Sequence, residues 1–219
     1  MDRRWDVRRE AGDVGVFHAA SVLDGAVSRT ATFVGVTRTT LVRGSSQPAD
    51  RVDTAEAERR GVDVVGRRSG GGAVLLVPGE FVWLDLCIGV DDPLWCDDVA
   101  RAMIWVGELW VAALASLGLG GEVHRGALQP SPWSTDVCWT GRGTGEVVDP
   151  DGRKVVGISQ RRSRHGARFQ SMAHLTWRPD LVAALVASPG PSADEIEPAA
   201  AVVAATGEAL EAALVAHLP

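Results

Sequence analysis

Two stretches, Gly66-Arg67-Arg68-Ser69-Gly70-Gly71-Gly72-Ala73-Val74 and Gly152-Arg153-Lys154-Val155-Val156-Gly157-Ile158-Ser159-Gln160, decide how this chain is read. In the first, three consecutive glycines leave backbone N–H groups unscreened by side chains, and Arg67 and Arg68 add fixed positive charge, so the segment suits a bound anion. A plain hairpin turn needs one or two glycines, and each one costs about 1 kcal/mol of backbone entropy relative to alanine, which favours a functional loop over a flexible turn. The second stretch sets Lys154, the only lysine of the chain, in an apolar run of strand character. A lysine so placed must snorkel to solvent, pair with a carboxylate or face a ligand.

Working outward, Val62 to Val65 is a strand that delivers the chain into the glycine loop, and Ala73 to Val77 and Phe81 to Ile88 form a hairpin around Pro78-Gly79. The loop therefore lies between strands, whereas a Walker phosphate loop would open a helix and end in Gly-Lys-Ser/Thr. Upstream, Ala31 to Val36 and Thr39 to Arg43 have the pattern of another hairpin, and Asp53 to Arg60 that of a short helix. A long helix is expected from Asp97 and Asp98 to Gly118, with Val99, Met103, Val106, Trp110, Ala113 and Leu117 as its core stripe. Strands follow at Glu122 to Gly126, Asp136 to Thr140, Gly145 to Val148, Arg153 to Ser159 and Arg168 to Trp177, with Asp149-Pro150-Asp151-Gly152 as the turn that presents Lys154. Leu181 to Ala187 is a short helix, Ser188-Pro189-Gly190-Pro191 a break, and the Ala-rich remainder to Leu218 one final helix with Ser192 and Glu195 at capping-box spacing. The sum is a single α+β domain over 1–219, with a core at about 30–177, a helical tail at about 178–219, and a mixed β-sheet with helices packed mainly on one face.

Bulk properties narrow the function classes. A length of 219 residues suits one domain with a real core, and a net charge of -6 argues against a nucleic-acid partner. Met1-Asp2-Arg3-Arg4-Trp5-Asp6 has no apolar run behind it, so no signal peptide is expected, and nothing approaches the ~18 apolar residues of a membrane span. Three cysteines, Cys87, Cys96 and Cys138, at no metal-like spacing suit reduced thiols in the cytoplasm and no protein-held metal.

The two opening stretches, in this order, resemble the lipoate-protein ligase and octanoyltransferase family, which carries Arg-Arg-x-Ser/Thr-Gly-Gly-Gly-x-Val and later Gly-x-Lys-x-x-Gly-x-x-Gln. The second match is full at Gly152, Lys154, Gly157 and Gln160. The first places Arg67 on the second family arginine and Gly66 where the first would stand, and Gly44-Ser45-Ser46-Gln47 resembles the family's Gly-x-x-Gln turn. The likeness runs from about Thr30 to Trp177. It implies Lys154 as the catalytic cation that holds a carboxylate or phosphate oxygen and stabilises charge as the acyl carbon becomes tetrahedral. It also implies Arg67, Ser69, Gly70, Gly71, Gly72, Gly157 and Gln160 as substrate-binding residues, with Arg68 facing outward.

Three functions follow from the resemblance. An ATP-dependent ligase would use ATP and magnesium to activate lipoate or octanoate as an adenylate and pass the acyl group to a lysine of a lipoyl-domain acceptor protein. A thioester acyltransferase would use Cys138 as nucleophile, although an apolar strand setting favours a buried structural thiol there. A non-catalytic member would only bind ligand. The chain departs from the family at Leu75-Leu76-Val77, where His-Asp is usual, and at Phe169-Gln170-Ser171-Met172, where many members have His-Gly. Its tail is too short for the small accessory domain of two-domain ligases, so a separate accessory-domain chain is a further expected partner. The basic run Arg161-Arg162-Ser163-Arg164-His165, with Arg168 beyond, is either a solvated loop or a surface for an acidic protein or a phosphate. His124, His165 and His174 have no family role, the first and last reading as core or edge residues.

Overall fold

The computed structural model describes residues 4–219, so the Met1-Asp2-Arg3 start of the N-terminal stretch lies outside it. Seven strands form the main sheet: β1 (Asp6–Gly12), β2 (Thr30–Val36), β6 (Phe81–Gly89), β7 (Glu122–Val123), β8 (Val147–Val148), β9 (Lys154–Arg162) and β10 (Gly166–His174). Their spatial order is β1-β2-β6-β10-β9-β8-β7, with β1 and β2 parallel and every other pair antiparallel. A second, three-stranded sheet has β3 (Thr40–Arg43) between β4 (Asp63–Gly66) and β5 (Val74–Leu76). The α+β class and mixed sheet are as expected.

Neither expected hairpin pairs with itself. β2 and β6 join the large sheet, whereas β3 and β5 pair with each other in the small one. Apolar alternation reports that a strand is buried, not which neighbour it takes. The Pro78-Gly79 turn does form, with Gly79 at φ 78°, but it carries the chain from one sheet to the other. The Asp136 to Thr140 segment is not a strand: Val137 makes a single bridge to Ala73, and Cys138–Thr140 is one 3-10 turn.

Alternation along β6 and β10 sorts the molecule into two cores. Leu84, Leu86 and Ile88 with Ala167, Phe169 and Ala173 face α3 (Ile104–Ser116) and the C-terminal helix, along with buried Val106, Trp110 and Ala113. Trp83 and Met172 face the small sheet and the short helices α1 (Val14–Ala19), α2 (Thr54–Arg59), α4 (Pro179–Ala184) and α5 (Ala193–Ile196). The long helix begins later than expected. Asp98 caps a 3-10 turn at Arg101–Met103, Val99 is exposed, and Gly118 at φ 74° ends the helix. The single final helix is also corrected. The Ser192–Glu195 capping box opens α5, a 3-10 turn at Glu197–Ala199 follows, and α6 (Gly207–Ala216) starts only after Thr206 caps it. Pro198, lacking an N–H, ends the first piece, and the extended residues between are held by Ala201 N donating to the Lys154 carbonyl (2.9 Å) and Val203 N to that of His174 (2.8 Å).

Candidate functional site

The glycine loop bridges β4 and β5 and is packed backbone to backbone against two other segments. A Cβ on Gly44 would lie 1.8 Å from the Gly71 carbonyl oxygen, and one on Gly72 would lie 2.8 Å from the Cys138 nitrogen, so neither position admits a side chain. Gly71 has φ 97°, in the left-handed region. Gly70 is different: nothing comes closer than 3.6 Å to its missing Cβ, so glycine there serves only to leave the backbone uncovered. The Gly44–Gln47 turn forms, and Gln47 Nε2 reaches the Asp136 carbonyl at 3.2 Å.

Arg67 turns inward and Arg68 outward. Arg67 Nη2 donates to the carbonyls of Gly70 (2.8 Å) and Gly72 (3.0 Å) and lies 3.8 Å from Cys138 Sγ, while its buried Nε has no partner in the protein. An unpaired guanidinium N–H in a buried position is costly, and a ligand oxygen would satisfy it. Ser69 accepts from Ser45 N through its carbonyl, and its hydroxyl meets that of Ser159 at 3.3 Å, clasping the loop to β9.

Lys154 opens β9 and is 2% exposed. Of the three arrangements open to it, the structure has the carboxylate pair. Its Nζ is 2.8 Å from Glu146 Oε2 and donates to the Cys138 carbonyl at 2.9 Å, 5.6 Å from the centre of the Trp139 ring. A register shift opposite Val147 and Val148 leaves Val155 as an extra residue and turns Lys154 toward the Gly157 side of the strand. Gly157 leaves room for Trp139, whose ring would be 3.1 Å from a Cβ there.

A solvent-connected pocket lies over this junction. Val42, Val74, Leu76, Trp83, Trp139 and Met172 make it apolar; Arg67, Cys138, Ser159, Gln170 and His18 give it polar points. Such a lining fits a ligand with an apolar body and an anionic end. Of the sequence candidates, Arg67, Cys138 and Gly157 line it, Ser69 touches it through Ser159, and Lys154 stands behind the Cys138–Trp139 wall. Gln160 lies on the opposite face of β9, where its amide can bond the Val99 carbonyl and Arg162 Nε. His18, Trp83 and Gln170 escaped the sequence reading. Alternation in β6 and β10 could have placed Trp83 and Gln170 on one face, but nothing local marks His18, which reaches the pocket from α1 and stacks on Trp83 at 5.2 Å. Burial, with the charges of Arg168 and Arg67, pushes His18 down to about 4, so it is neutral.

The arginine run divides. Arg162 lies in β9 over the Trp95 ring and donates to the Asp97 carbonyl, so it is neither solvated loop nor docking surface. Arg168 is buried against Asp85, donating from Nε to both carboxylate oxygens (3.0 and 2.8 Å) and from Nη2 to Oδ2 (2.5 Å), next to Gln170. Burial pushes the Asp85 carboxyl up, against the pull of that guanidinium.

The model of the lipoyl protein ligase A/B catalytic domain matches residues 19–190, and the chain belongs to that family. Among solved structures, the bipartite lipoate protein ligase of Thermoplasma acidophilum, from work on an archaeal lipoylation system and its E2 lipoyl domain, is 16% identical, with a TM-score of 0.75 over 96% of this chain and 80% of that one. A putative lipoate protein ligase of T. acidophilum with bound lipoic acid gives 0.65 at 16% identity over 93% and 75%. Lipoate-protein ligase A bound with ATP gives 0.66 at 19% identity over 93% and 75%. No curated protein matches the chain significantly. At these identities the structural likeness establishes the shared fold.

Proposed function

We propose that the protein is a lipoate-protein ligase-type enzyme, one catalytic domain over 1–219, that activates lipoate or a related acyl acid with ATP and transfers it to a lysine of a lipoyl-domain acceptor. The observation that carries this reading is that Arg67 and Cys138 line one apolar-walled pocket, Arg67 holding the Gly70 and Gly72 carbonyls of the glycine loop and Cys138 accepting from Lys154 through its carbonyl. In the activation step an acyl carboxylate oxygen attacks the α-phosphorus of ATP and pyrophosphate leaves. In the transfer step a neutral acceptor amine attacks the acyl carbon, and AMP leaves with the adenylate oxygen. The free Nε of Arg67 and the N–H groups of Gly70 and Gly71 would hold the phosphate, with Ser69 pinning the loop, and Lys154 would stabilise the charge on the acyl oxygen. Among the described residues no group of three or more His, Cys, Asp or Glu is placed to hold a metal, so magnesium would arrive on the triphosphate. A separate accessory-domain chain would complete the enzyme.

The experiment is incubation with ATP, magnesium, octanoate or lipoate and a lipoyl domain, following pyrophosphate and the mass of the domain. Acylation that requires ATP is expected. One observation favours a second reading, transfer from a carrier thioester: Cys138 Sγ lines the pocket, 3.8 Å from Arg67 Nη2, where an acyl carbon could reach it. Acylation of Cys138 by octanoyl carrier protein without ATP would select it. A bound acyl ligand with neither activity would leave the non-catalytic reading.

A further inference from the structure

We propose that Glu146 is a positioning residue of this site: it fixes the Lys154 ammonium so that one N–H remains for the reacting acyl or phosphate oxygen. The inference rests on the reading of Lys154 as the catalytic cation. An ammonium has three N–H donors. Here one goes to Glu146 Oε2 at 2.8 Å and one to the Cys138 carbonyl at 2.9 Å, which leaves the third without an acceptor in the protein.

Glu146 can set that orientation because it is itself fixed. It is 5% exposed, its Oε2 also accepts from Gly143 N at 2.7 Å, and its Oε1 accepts from Ile158 N at 3.2 Å. The first of these bonds closes its own turn; the second reaches the stretch of β9 that lines the pocket. One carboxylate thus ties the lysine, the turn and the pocket wall together, and Gly157 leaves it space, since a Cβ there would sit 3.7 Å from Oε1. A buried ion pair of this kind is no better for stability than well-packed apolar residues of the same size. Its worth lies in placing the charge. The same carboxylate competes with an incoming anion for the ammonium, so it lowers ground-state affinity while ordering the attack geometry.

Those two effects separate in Glu146→Gln. The amide keeps size and part of the hydrogen bonding but loses the charge that aligns Nζ. Turnover, read as ATP-dependent pyrophosphate release with octanoate, is expected to fall at least tenfold. Affinity for a non-hydrolysable octanoyl-adenylate analogue should be unchanged or up to tenfold tighter. In a Lys154→Met background the same change should cost no further turnover and should raise the melting temperature, because the stranded carboxylate is gone. Turnover within threefold of wild type in folded Glu146→Gln, or losses that multiply with those of Lys154→Met, would overturn the proposal. A folded Lys154→Met/Glu146→Gln variant with wild-type turnover would instead overturn the role of Lys154 itself. If Glu146→Gln yields no folded protein, Glu146→Asp replaces it, keeping the charge but withdrawing it by one methylene. Lower turnover with retained binding supports the proposal, and turnover within threefold of wild type overturns it.

Discussion

The two faces of the seven-stranded sheet differ in what they bury. Against α3 and α6 the sheet presents Leu84, Leu86, Ile88, Ala167 and Phe169, and within that layer Trp110 Nε1 donates to Ser171 Oγ at 2.9 Å. Against the small sheet it buries Asp85 with Arg168, Lys154 with Glu146, and the neutral His18 and His174. Apolar burial is favourable wherever it occurs, but buried charge stabilises little even when well paired. Both faces bury an apolar core, but only the second also holds buried charged groups, which add little to stability.

The largest effect expected from this division is on the helix face. Trp110 is fully buried, so Trp110→Ala should lose about 3 to 5 kcal/mol in a denaturant melt while turnover per folded molecule, taken well below the melting temperature, stays near wild type. A fall in turnover as deep as that of a pocket variant would erase the distinction between the faces. On the charged face, Asp85→Ala strands the Arg168 guanidinium and should cost a comparable ~3 to 5 kcal/mol, whereas Asp85→Leu with Arg168→Met should recover most of it. A double variant as unstable as the single one would mean that the pair, not the stranded charge, carries the stability.

A smaller effect appears with pH. Burial pushes His174 down to about 4, from an ordinary value of 6.5, and His18 to about 4 as well. Both are neutral in the fold, so the unfolded chain binds more protons between those values. Their contribution to stability is complete above about 6.5 and is lost as pH falls toward 4, by about 3 kcal/mol for the more deeply buried His174. Melting temperature should drop over that window, and His174→Phe, between Trp139 and Trp177, should flatten the drop; an unchanged slope would place its source elsewhere.

The contrast between the faces also explains what the sequence revealed. The helix face was legible because its signal is periodic: Val106, Trp110 and Ala113 repeat at helical spacing, and each is fully buried. So were the glycine loop and the lysine strand, whose residue types are rare in plain structure. The partition into two sheets was not legible, since β3 and β5 carry the same apolar runs that a hairpin would. Gln160 could be placed beside Lys154 by spacing, but a one-residue bulge at Val155 sends the two side chains to different faces. His18 is far from the motifs in the chain and near them only after folding, whereas Glu146 stands just ahead of the lysine motif and meets Lys154 only through the pairing of β8 with β9.

Within the pocket, Arg67→Ala should weaken a non-hydrolysable acyl-adenylate analogue by about 1.5 to 3 kcal/mol, since a charged hydrogen bond to the ligand is lost. Part of any melting change belongs to the loop carbonyls of Gly70 and Gly72 that Arg67 also holds, so calorimetric affinity of the folded variant is the measurement that decides. Unchanged affinity would move the anion site away from the loop.

The smallest effect is expected at Cys138, and it separates the two enzyme readings. The residue is half-buried in a 3-10 turn, and what it gives Lys154 is its backbone carbonyl, which any side chain preserves. If the enzyme is an ATP-dependent ligase, Cys138→Ser exchanges a thiol for a slightly smaller, more polar hydroxyl at the pocket wall, and stability should shift by about 1 kcal/mol or less. Turnover with ATP and octanoate should stay within threefold. If the enzyme is a thioester acyltransferase, the same exchange removes the attacking thiolate, and turnover from octanoyl carrier protein should fall by orders of magnitude in a protein of unaltered melting temperature. That second pattern would leave the family and the fold standing while moving the decisive chemical role from Lys154 to the Cys138 thiol.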